Sequence, residues 1–312
     1  HPVPLDQFQL RSRGRTISLP LPEGVALSRA RFDAALAGAA AEAGVTIAFE
    51  THAHFGEIRG GARSVRLVHH GQLAHVTARV VLDAAGLGGN CLPQGAAPRV
   101  QVAPRSRVGA GCVVADVPGS YHPGTIFMAA GRRGYVGLVR VEDHSLNIAA
   151  AFDADFVRSR GSPALAAAAI LDEAGFPPVP ALDSAEWRGT PALTRRARPL
   201  GDERLFLLGD AAGYVEPFTG EGMAWAIASG LALAPIALRA ISGWTPASIR
   251  EWTSVHRRIV GRRQLVCRAA SLALRRPWLM PLAFATLARW PGASGYVLRR
   301  LNAPSPLPAS CP

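Results

Sequence analysis

The 312-residue sequence contains no lysine, so its 34 basic residues are all arginine. Without lysine, the chain can form neither a Schiff base with a carbonyl substrate nor the lysine–phosphate contact of a P-loop. A Gly-x-Ser-x-Gly nucleophile elbow is absent as well, so serine hydrolase chemistry is not indicated. These absences exclude three common kinds of active site before any single residue is considered.

Cysteine is scarce, and its spacing excludes the usual metal and disulfide frameworks. The four cysteines are Cys91, Cys112, Cys267 and Cys311. They form no Cys-x-x-Cys pair, so neither a zinc site nor a disulfide scaffold is predicted, and a reduced, cytoplasmic setting fits this usage. His52 and His54 would share one face of a strand. No third ligand stands nearby in the sequence, and we expect no metal site.

Acidic residues are also few, since 22 Asp and Glu stand against 34 arginines and give a net charge of +12. The imbalance is greatest between Gly243 and Pro312, where eleven arginines face one acid, Glu251. Such a segment could bind anionic lipid, nucleic acid or an acidic partner. Nucleic acid is disfavoured because no recognised binding motif accompanies the charge. We predict a C-terminal helical segment packed on the rest of the protein, with peripheral membrane contact as the alternative.

The sequence also lacks the Gly-x-Gly-x-x-Gly fingerprint, which binds a dinucleotide pyrophosphate at a strand–turn–helix junction. Gly86-Leu87-Gly88-Gly89 has the wrong spacing for it. Gly109-Ala110-Gly111 is followed by strand-like residues instead of the start of a helix. The part of a nucleotide site that holds a pyrophosphate is therefore not recognisable in these residues.

The most informative stretch that is present covers residues 204–223. Leu205 to Leu208 form a short apolar run bounded by turn residues, which is typical of a strand buried in a sheet. Asp210 then follows at the carboxyl end of that strand, where open α/β sheets bind their ligands. Gly220-Glu221-Gly222 begins a helix of small residues. A carboxylate beside the positive end of a helix suits a ligand with sugar hydroxyls and an electron-rich ring, and a flavin nucleotide has both.

Residues 204–223 resemble the second FAD-binding motif of a large flavoprotein superfamily. That superfamily contains aromatic-ring hydroxylases, geranylgeranyl reductases and flavin-dependent halogenases. The resemblance implies that the Gly209–Asp210 turn holds the ribityl hydroxyls and that Pro217 lies beside the isoalloxazine ring. The amides that would face the N1–O2 edge of the ring belong to Gly220, Glu221, Gly222 and Met223. A helix N-terminus at that edge would stabilise the anionic reduced flavin.

The resemblance also implies the fold class, which is α/β. We expect an incomplete Rossmann-like FAD-binding domain, with an inserted antiparallel β-sheet substrate domain and a C-terminal helical segment. The predicted domains are residues 1–100 (first part of the FAD domain), 101–195 (substrate domain), 196–242 (second part of the FAD domain) and 243–312 (basic helical segment). Short tight turns support the antiparallel sheet. Its predicted strands are Val108–Val114, Gly124–Ala130, Tyr135–Glu142 and Ser145–Phe152.

In this superfamily, a glycine-rich strand–turn–helix unit precedes the segment described here. We therefore expect an N-terminal piece before His1, at minimum the first βαβ unit of roughly 30 residues. A family member that has lost this unit is the alternative.

Local patterns predict several further elements. Ser28 caps a helix that ends before Gly44, and residues 45–50 resemble a strand. Residues 65–70 and 75–82 alternate on either side of Gly71, which predicts a hairpin. Residues 163–175 form a helix, and the helix after Gly222 should end or kink at Pro235.

Arg29 is a further candidate for cofactor binding. An arginine near the start of a helix at this place in the family approaches the FAD, and the resemblance implies contact with its pyrophosphate or ribose. The alternative is an arginine in the first turn of a helix that contacts only solvent.

Three reactions remain open within the superfamily. The tryptophans do not form the Trp-x-Trp-x-Ile-Pro motif of halogenases. Residues 217–222 match the Pro-x-x-Gly-Glu-Gly pattern of geranylgeranyl reductases, although residues 134–139 depart from their aromatic substrate motif. Hydroxylases usually have Gln and Asn where this chain has Glu221 and Ala224. We expect an NAD(P)H-dependent reductase of a small, unsaturated hydrophobic substrate. A monooxygenase and a non-catalytic lipid- or partner-binding fragment are the alternatives.

Overall fold

A computed structural model describes residues 1–89, 99–216, 218 and 220–275. The strands in this part of the chain are Val3–Ser12 (β1), Arg15–Ala26 (β2), Thr51–Arg59 (β3), Ala62–His69 (β4), Gln72–Ala78 (β5), Val81–Asp83 (β6), Arg99–Val102 (β7), Val108–Val114 (β8), Thr125–Gly131 (β9), Gly134–Arg140 (β10), Leu146–Phe152 (β11), Arg188–Ala192 (β12), Arg195–Arg198 (β13), Gly201–Asp202 (β14), Leu205–Leu207 (β15) and Gly213–Tyr214 (β16). The α-helices are Arg29–Glu42 (α1), Ala154–Arg160 (α2), Pro163–Ala174 (α3), Gly222–Ser242 (α4), Pro246–His256 (α5) and Arg262–Leu274 (α6).

The first of two compact units contains residues 1–47 and 107–192. Its sheet has the order β12-β8-β11-β10-β9-β1-β2, and β8 to β11 pair antiparallel. The antiparallel sheet predicted from the turns is therefore confirmed. Helix α3 buries Ile170 and Leu171 in the core of this unit, together with Phe152 of β11. Its N-cap is Ser162, whose hydroxyl accepts a bond from the Leu165 amide at 3.1 Å.

The sheet of this first unit is larger than the sequence indicates. Strands β1 and β2 form a hairpin at its edge, and β1 pairs with β9 in parallel. A parallel pair between residues over 100 positions apart leaves no local sequence signal. Helix α1 begins at the predicted N-cap, where the Ser28 hydroxyl accepts from the Arg31 amide.

The predicted strand over residues 45–50 is wrong. These residues do not pair in a sheet, and the strand begins instead at Thr51, after a turn at Phe49–Glu50. Val45 and Phe49 are 55% and 69% exposed, so their apolar character does not reflect burial in a sheet. The predicted hairpin is confirmed as β4 and β5, which meet at His70 and Gly71. Both turn residues have positive φ (44° and 79°), the conformation that suits two-residue hairpins.

The second compact unit contains residues 48–106 and 193–269. Its central strand is β15, which pairs in parallel with β6 and antiparallel with β14. Phe206 and Leu207 of β15 are buried against Leu233 of α4 and Trp252 of α5. The Trp252 indole donates to the Leu207 carbonyl at 2.8 Å. The buried strand and following helix predicted for residues 205–242 are thus confirmed.

The sequence predicts that helix α4 ends or kinks at Pro235. In the structure the helix continues to Ser242. Proline in a helix interior costs about 3 kcal/mol. Leu233 and Ile236, on either side of the proline, are both buried in the core of this unit. Their packing holds the helix together where the local sequence favours a break.

A stripe along the outer side of α4 remains exposed within the described chain. Its residues are Met223, Ile227, Leu231, Leu238 and Ile241. The helix is long and apolar enough to cross a membrane by length and composition alone, but core helices pass the same test. In the described residues, β6 is also the edge strand of its sheet, and Leu82 on it is 46% exposed.

Candidate cofactor site

Asp210 lies in a turn that directly follows the carboxyl end of β15. The turn is a short 3-10 helix, Gly209–Ala211, and the Asp210 side chain is partly buried. The Gly209 amide donates to the Ser229 hydroxyl of α4 at 3.0 Å, and Ser229 is fully buried. Gly209 has a φ of +55°, which only glycine adopts without strain. The sheet and α4 together therefore fix the position at which the Asp210 carboxylate leaves the strand.

A second turn lies beside it, at the carboxyl end of the neighbouring parallel strand β6. This turn is the 3-10 segment Gly86–Gly88, and it contacts the Gly209–Ala211 turn. The Asp83 carboxylate accepts from the Ala85 amide at 3.0 Å, and the Arg195 guanidinium donates to the Leu87 carbonyl at 2.9 Å. Sequence reasoning did not identify Arg195. Arg195 and its partner Leu87 are 108 residues apart in the sequence, and such a distant contact leaves no local sequence signal.

The loop that follows Asp210 leads into the N-terminus of α4. Its first part, Gly213–Tyr214, pairs with β13, and the Glu216 amide donates to the Thr194 hydroxyl at 3.4 Å. Pro217, predicted to lie beside the ring, falls outside the described residues. Gly220 is exposed and precedes Glu221, the N-cap of α4. The predicted helix start at the Gly-Glu-Gly turn is therefore present.

The side chain of Glu221 points into the protein. It is 6% exposed, and the Cys267 thiol of α6 donates to its Oε2 at 3.5 Å. The Glu221 carbonyl accepts from the Trp225 amide in the first turn of α4. Because this carboxylate is buried, residue 221 would meet a ligand through its backbone. Gly222 and Met223 follow as the first helical residues, and the Met223 side chain is 46% exposed.

The groups around the two turns fit an FAD. A Cβ atom built on Gly86, Gly88 or Gly220 would meet nothing within 4 Å, so the backbone there is open to close approach. A carboxylate accepts bonds from ribityl hydroxyls, and the amides that begin α4 have no partners inside the helix. Those amides and the helix dipole favour negative charge at the ring edge. The residues present therefore match the ribityl chain and the ring in chemical character.

Arg29 lies in the other compact unit, in the first turn of α1. Its side chain is 70% exposed, and its Nε is 2.7 Å from a carboxylate oxygen of Asp33, one turn later. An exposed pair of this kind contributes little to stability. Contact between Arg29 and the cofactor stays a prediction.

The predicted N-terminal unit stays a prediction, as do the four predicted domains. Among the described residues, no group of three His, Cys, Asp or Glu side chains could hold a metal ion.

The sequence matches the FAD binding domain family over residues 17–269. No curated protein matches the chain. Among solved structures it is similar to CmlS, a flavin-dependent halogenase, with 19% identity and a TM-score of 0.67 over 84% of this chain and 51% of that one. The chain thus spans about half the length of that relative.

Two other structures come from different branches of flavin chemistry. The p-nitrophenol 4-monooxygenase PnpA from Pseudomonas putida DLL-E4 is 15% identical, with a TM-score of 0.72 over 96% of this chain and 80% of that one. A geranylgeranyl bacteriochlorophyll reductase-like protein from Thermoplasma acidophilum is 18% identical, with a TM-score of 0.70 over 98% and 81%. At these identities the likeness concerns the fold. The chain belongs to the FAD binding domain family, has the α/β fold shared by FAD-dependent oxidoreductases and monooxygenases, and has FAD as its cofactor.

Proposed function

We propose that this chain is part of an FAD-dependent reductase that uses NAD(P)H to reduce an unsaturated, hydrophobic substrate. The observation that carries the proposal is the pair of turns at the carboxyl ends of β6 and β15, next to the N-terminus of α4. When bound, FAD would supply two-electron transfer between NAD(P)H and a carbon–carbon double bond. The protein supplies binding, orientation and electrostatics.

The residues of the site act in two ways. The Asp210 carboxylate would accept hydrogen bonds from the ribityl hydroxyls and so hold the cofactor. The amides of Gly220, Glu221 and Gly222 would donate toward the ring and stabilise negative charge that develops there. Neither role requires a side-chain acid or base, and the sequence singles out no such catalytic group.

Glu221 favours the reductase over the hydroxylase. Reductases of this superfamily have Glu at this place in the loop, and hydroxylases usually have Gln. The structure supports an integral role for the carboxylate, because Glu221 and its donor Cys267 are both buried, at 6% and 0% exposed. Replacement of Glu221 by Gln would therefore alter a packed contact and not an exposed surface.

A monooxygenase is the second candidate. The fold is shared with a p-nitrophenol 4-monooxygenase, and the same cofactor site serves both reactions. Dependence on oxygen separates them, because a monooxygenase consumes O₂ as a substrate and a reductase does not.

The test is turnover of the full-length protein with NADPH and a geranylgeranyl-chain substrate under strict anaerobiosis. A reductase oxidises NADPH and yields a product heavier by two hydrogens per reduced double bond, with no need for O₂. A matched aerobic reaction provides the control. Product that contains an added oxygen atom, formed only in air, would assign the monooxygenase instead.

We also propose a cytoplasmic location, with peripheral membrane contact through the basic segment Gly243–Pro312. Exposed arginines in its described part support the proposal, among them Arg250 on α5 and Arg257 and Arg258 just after it. Sedimentation with anionic vesicles tests the contact, compared with a variant in which Arg250, Arg257 and Arg258 are replaced by Gln. Equal sedimentation of both chains would contradict it.

A further inference from the structure

Three arginines of the second compact unit lie close together, on β13 and α6. In a strand, alternate side chains point to opposite faces. Ala197 is buried in the core, so Arg196 and Arg198 share the other face of β13. We call Arg196, Arg198 and Arg268 the arginine cluster.

Helix α6 brings Arg268 to that face. Gln264, one turn earlier on α6, donates to the Gly213 carbonyl at 3.4 Å, and Gly213 is the sheet partner of Arg196. Residues four apart lie on the same side of a helix, so Arg268 follows Gln264 toward β13. Burial, then the charges of Arg268 and Arg198, lower the pKa of Arg196, which agrees with this placement of both arginines near Arg196.

No carboxylate balances these charges. In the described part of the chain, none of the three arginines forms an ion pair or a side-chain hydrogen bond, and the Nε of Arg268 is buried without an acceptor. Residues 90–98 and 276–312, which are not described, contain no Asp or Glu. Charges that are partly buried and unpaired destabilise a protein, so this arrangement calls for an anion from outside the chain.

His256 is the other titratable group near Arg196. It is 8% exposed, and its burial and the charge of Arg196 lower its pKa to about 4. The imidazole is therefore neutral near pH 7 and adds no further positive charge. A neutral imidazole still has one N–H donor and one acceptor nitrogen.

We propose that the arginine cluster is a binding site for the phosphate group of a ligand. Guanidinium groups form paired, charge-assisted hydrogen bonds to phosphate oxygens, and several arginines together match a doubly charged oxyanion. A single carboxylate would leave most of the charge of the cluster unbalanced. The phosphate belongs either to a soluble nucleotide or to a phospholipid headgroup, since both present the same group.

The first experiment measures binding of inorganic phosphate to the full chain by calorimetry. Arg196→Gln and Arg268→Gln are each expected to weaken binding by about tenfold or more, because charge-assisted bonds are the strongest in proteins. Arg66→Gln, which removes an exposed arginine of β4, is the matched control and should bind as the unchanged chain does. Equal weakening in all three variants, or in none, overturns the proposal.

A second measurement distinguishes the two sources of phosphate. Adenosine 2′,5′-bisphosphate represents the nucleotide, and vesicles of phosphatidylcholine with phosphatidylglycerol represent the lipid. Binding to either probe that is lost in Arg196→Gln but kept in Arg66→Gln supports the site and assigns its source. Binding to neither probe, or binding that Arg196→Gln leaves unchanged, overturns it.

Stability provides an independent readout. In phosphate-free buffer, Arg268→Gln removes an unbalanced charge and is expected to raise the melting temperature, while added phosphate should stabilise only the unchanged chain. If Arg268→Gln instead lowers the melting temperature or unfolds the protein, the arginine serves the fold through a contact within the chain, and the proposal is wrong.

Discussion

Asp210 is the side chain on which cofactor binding depends most directly. It is held at the end of β15 by the bond from the Gly209 amide to Ser229. We expect Asp210→Ala in the full-length protein to weaken FAD binding by about tenfold to hundredfold, because hydrogen bonds to a charged group contribute about 1.5–3 kcal/mol each. Flavin absorbance after gel filtration measures the loss, and circular dichroism verifies the fold.

The matched control is Asp116→Ala, which removes an exposed carboxylate in the first compact unit. That variant should retain its flavin. A yellow Asp210→Ala protein with the affinity of the natural protein would contradict the assigned role.

His256 makes stability depend on pH in a defined direction. Its pKa falls from the ordinary value of 6.5 to about 4 in the folded protein, so the unfolded chain binds more protons between those values. The contribution of the neutral imidazole to the free energy of unfolding is therefore fully present above about pH 6.5, and it is lost as the pH falls toward 4. The loss is on the order of 3 kcal/mol.

Urea unfolding across this pH range measures the effect. His256→Asn should show a shallower decline in the free energy of unfolding, whereas His75→Asn, at an exposed position, should behave as the unchanged protein. Parallel declines in all three proteins would show that His256 does not cause the effect.

At the scale of single elements, the contribution of the α3 N-cap to stability can be tested by one substitution. Ser162 accepts from the Leu165 amide, and the helix buries six residues in the core of its unit. We expect Ser162→Ala to lower the free energy of unfolding by about 1 kcal/mol, as for other serine caps. Ser120→Ala, at an exposed turn position between β8 and β9, serves as the control and should change stability by less. An unchanged midpoint in Ser162→Ala would contradict the capping role.

Elements whose cause is local were predictable from the sequence. The strand, turn and helix of the candidate site were predicted from the apolar run Leu205 to Leu207 and from the small residues of α4. The hairpin was predicted from the alternating pattern around Gly71. The helix end predicted at Pro235 is not found, because the burial of Leu233 and Ile236 in the core outweighs the local preference of proline. The strand predicted over residues 45–50 was wrong because the apolar side chains of Val45 and Phe49 are exposed and are not packed in a sheet.

Elements that depend on distant pairing were not predictable. The parallel pair of β1 and β9 joins segments with no shared local pattern. The same holds for Arg195 at the Leu87 carbonyl and for Cys267 at Glu221. In the candidate site, the strand, the turn and the start of the helix could therefore be predicted from motif spacing, but the side chains that hold them in place could not.

At the scale of the whole molecule, FAD binding should protect a limited set of amides from hydrogen exchange. We expect slower exchange at the turns Gly86–Gly88 and Gly209–Ala211 and at the start of α4, because local opening there would release the ligand. At a hundredfold excess over its dissociation constant, FAD should stabilise the protein by about 2.7 kcal/mol.

The exposed hairpin of β4 and β5 provides the internal control for this exchange experiment. Its amides should exchange equally with and without FAD. Protection of the hairpin with none at the two turns would place the cofactor elsewhere.

The apolar stripe on α4 and the exposed edge of β6 also affect the solubility of the protein. Exposed apolar side chains in a row and an exposed strand edge both promote self-association. A preparation of these residues alone should scatter light increasingly as it is concentrated, and mild detergent should reverse that turbidity. Solubility, more than folding, would then limit how the isolated polypeptide can be handled.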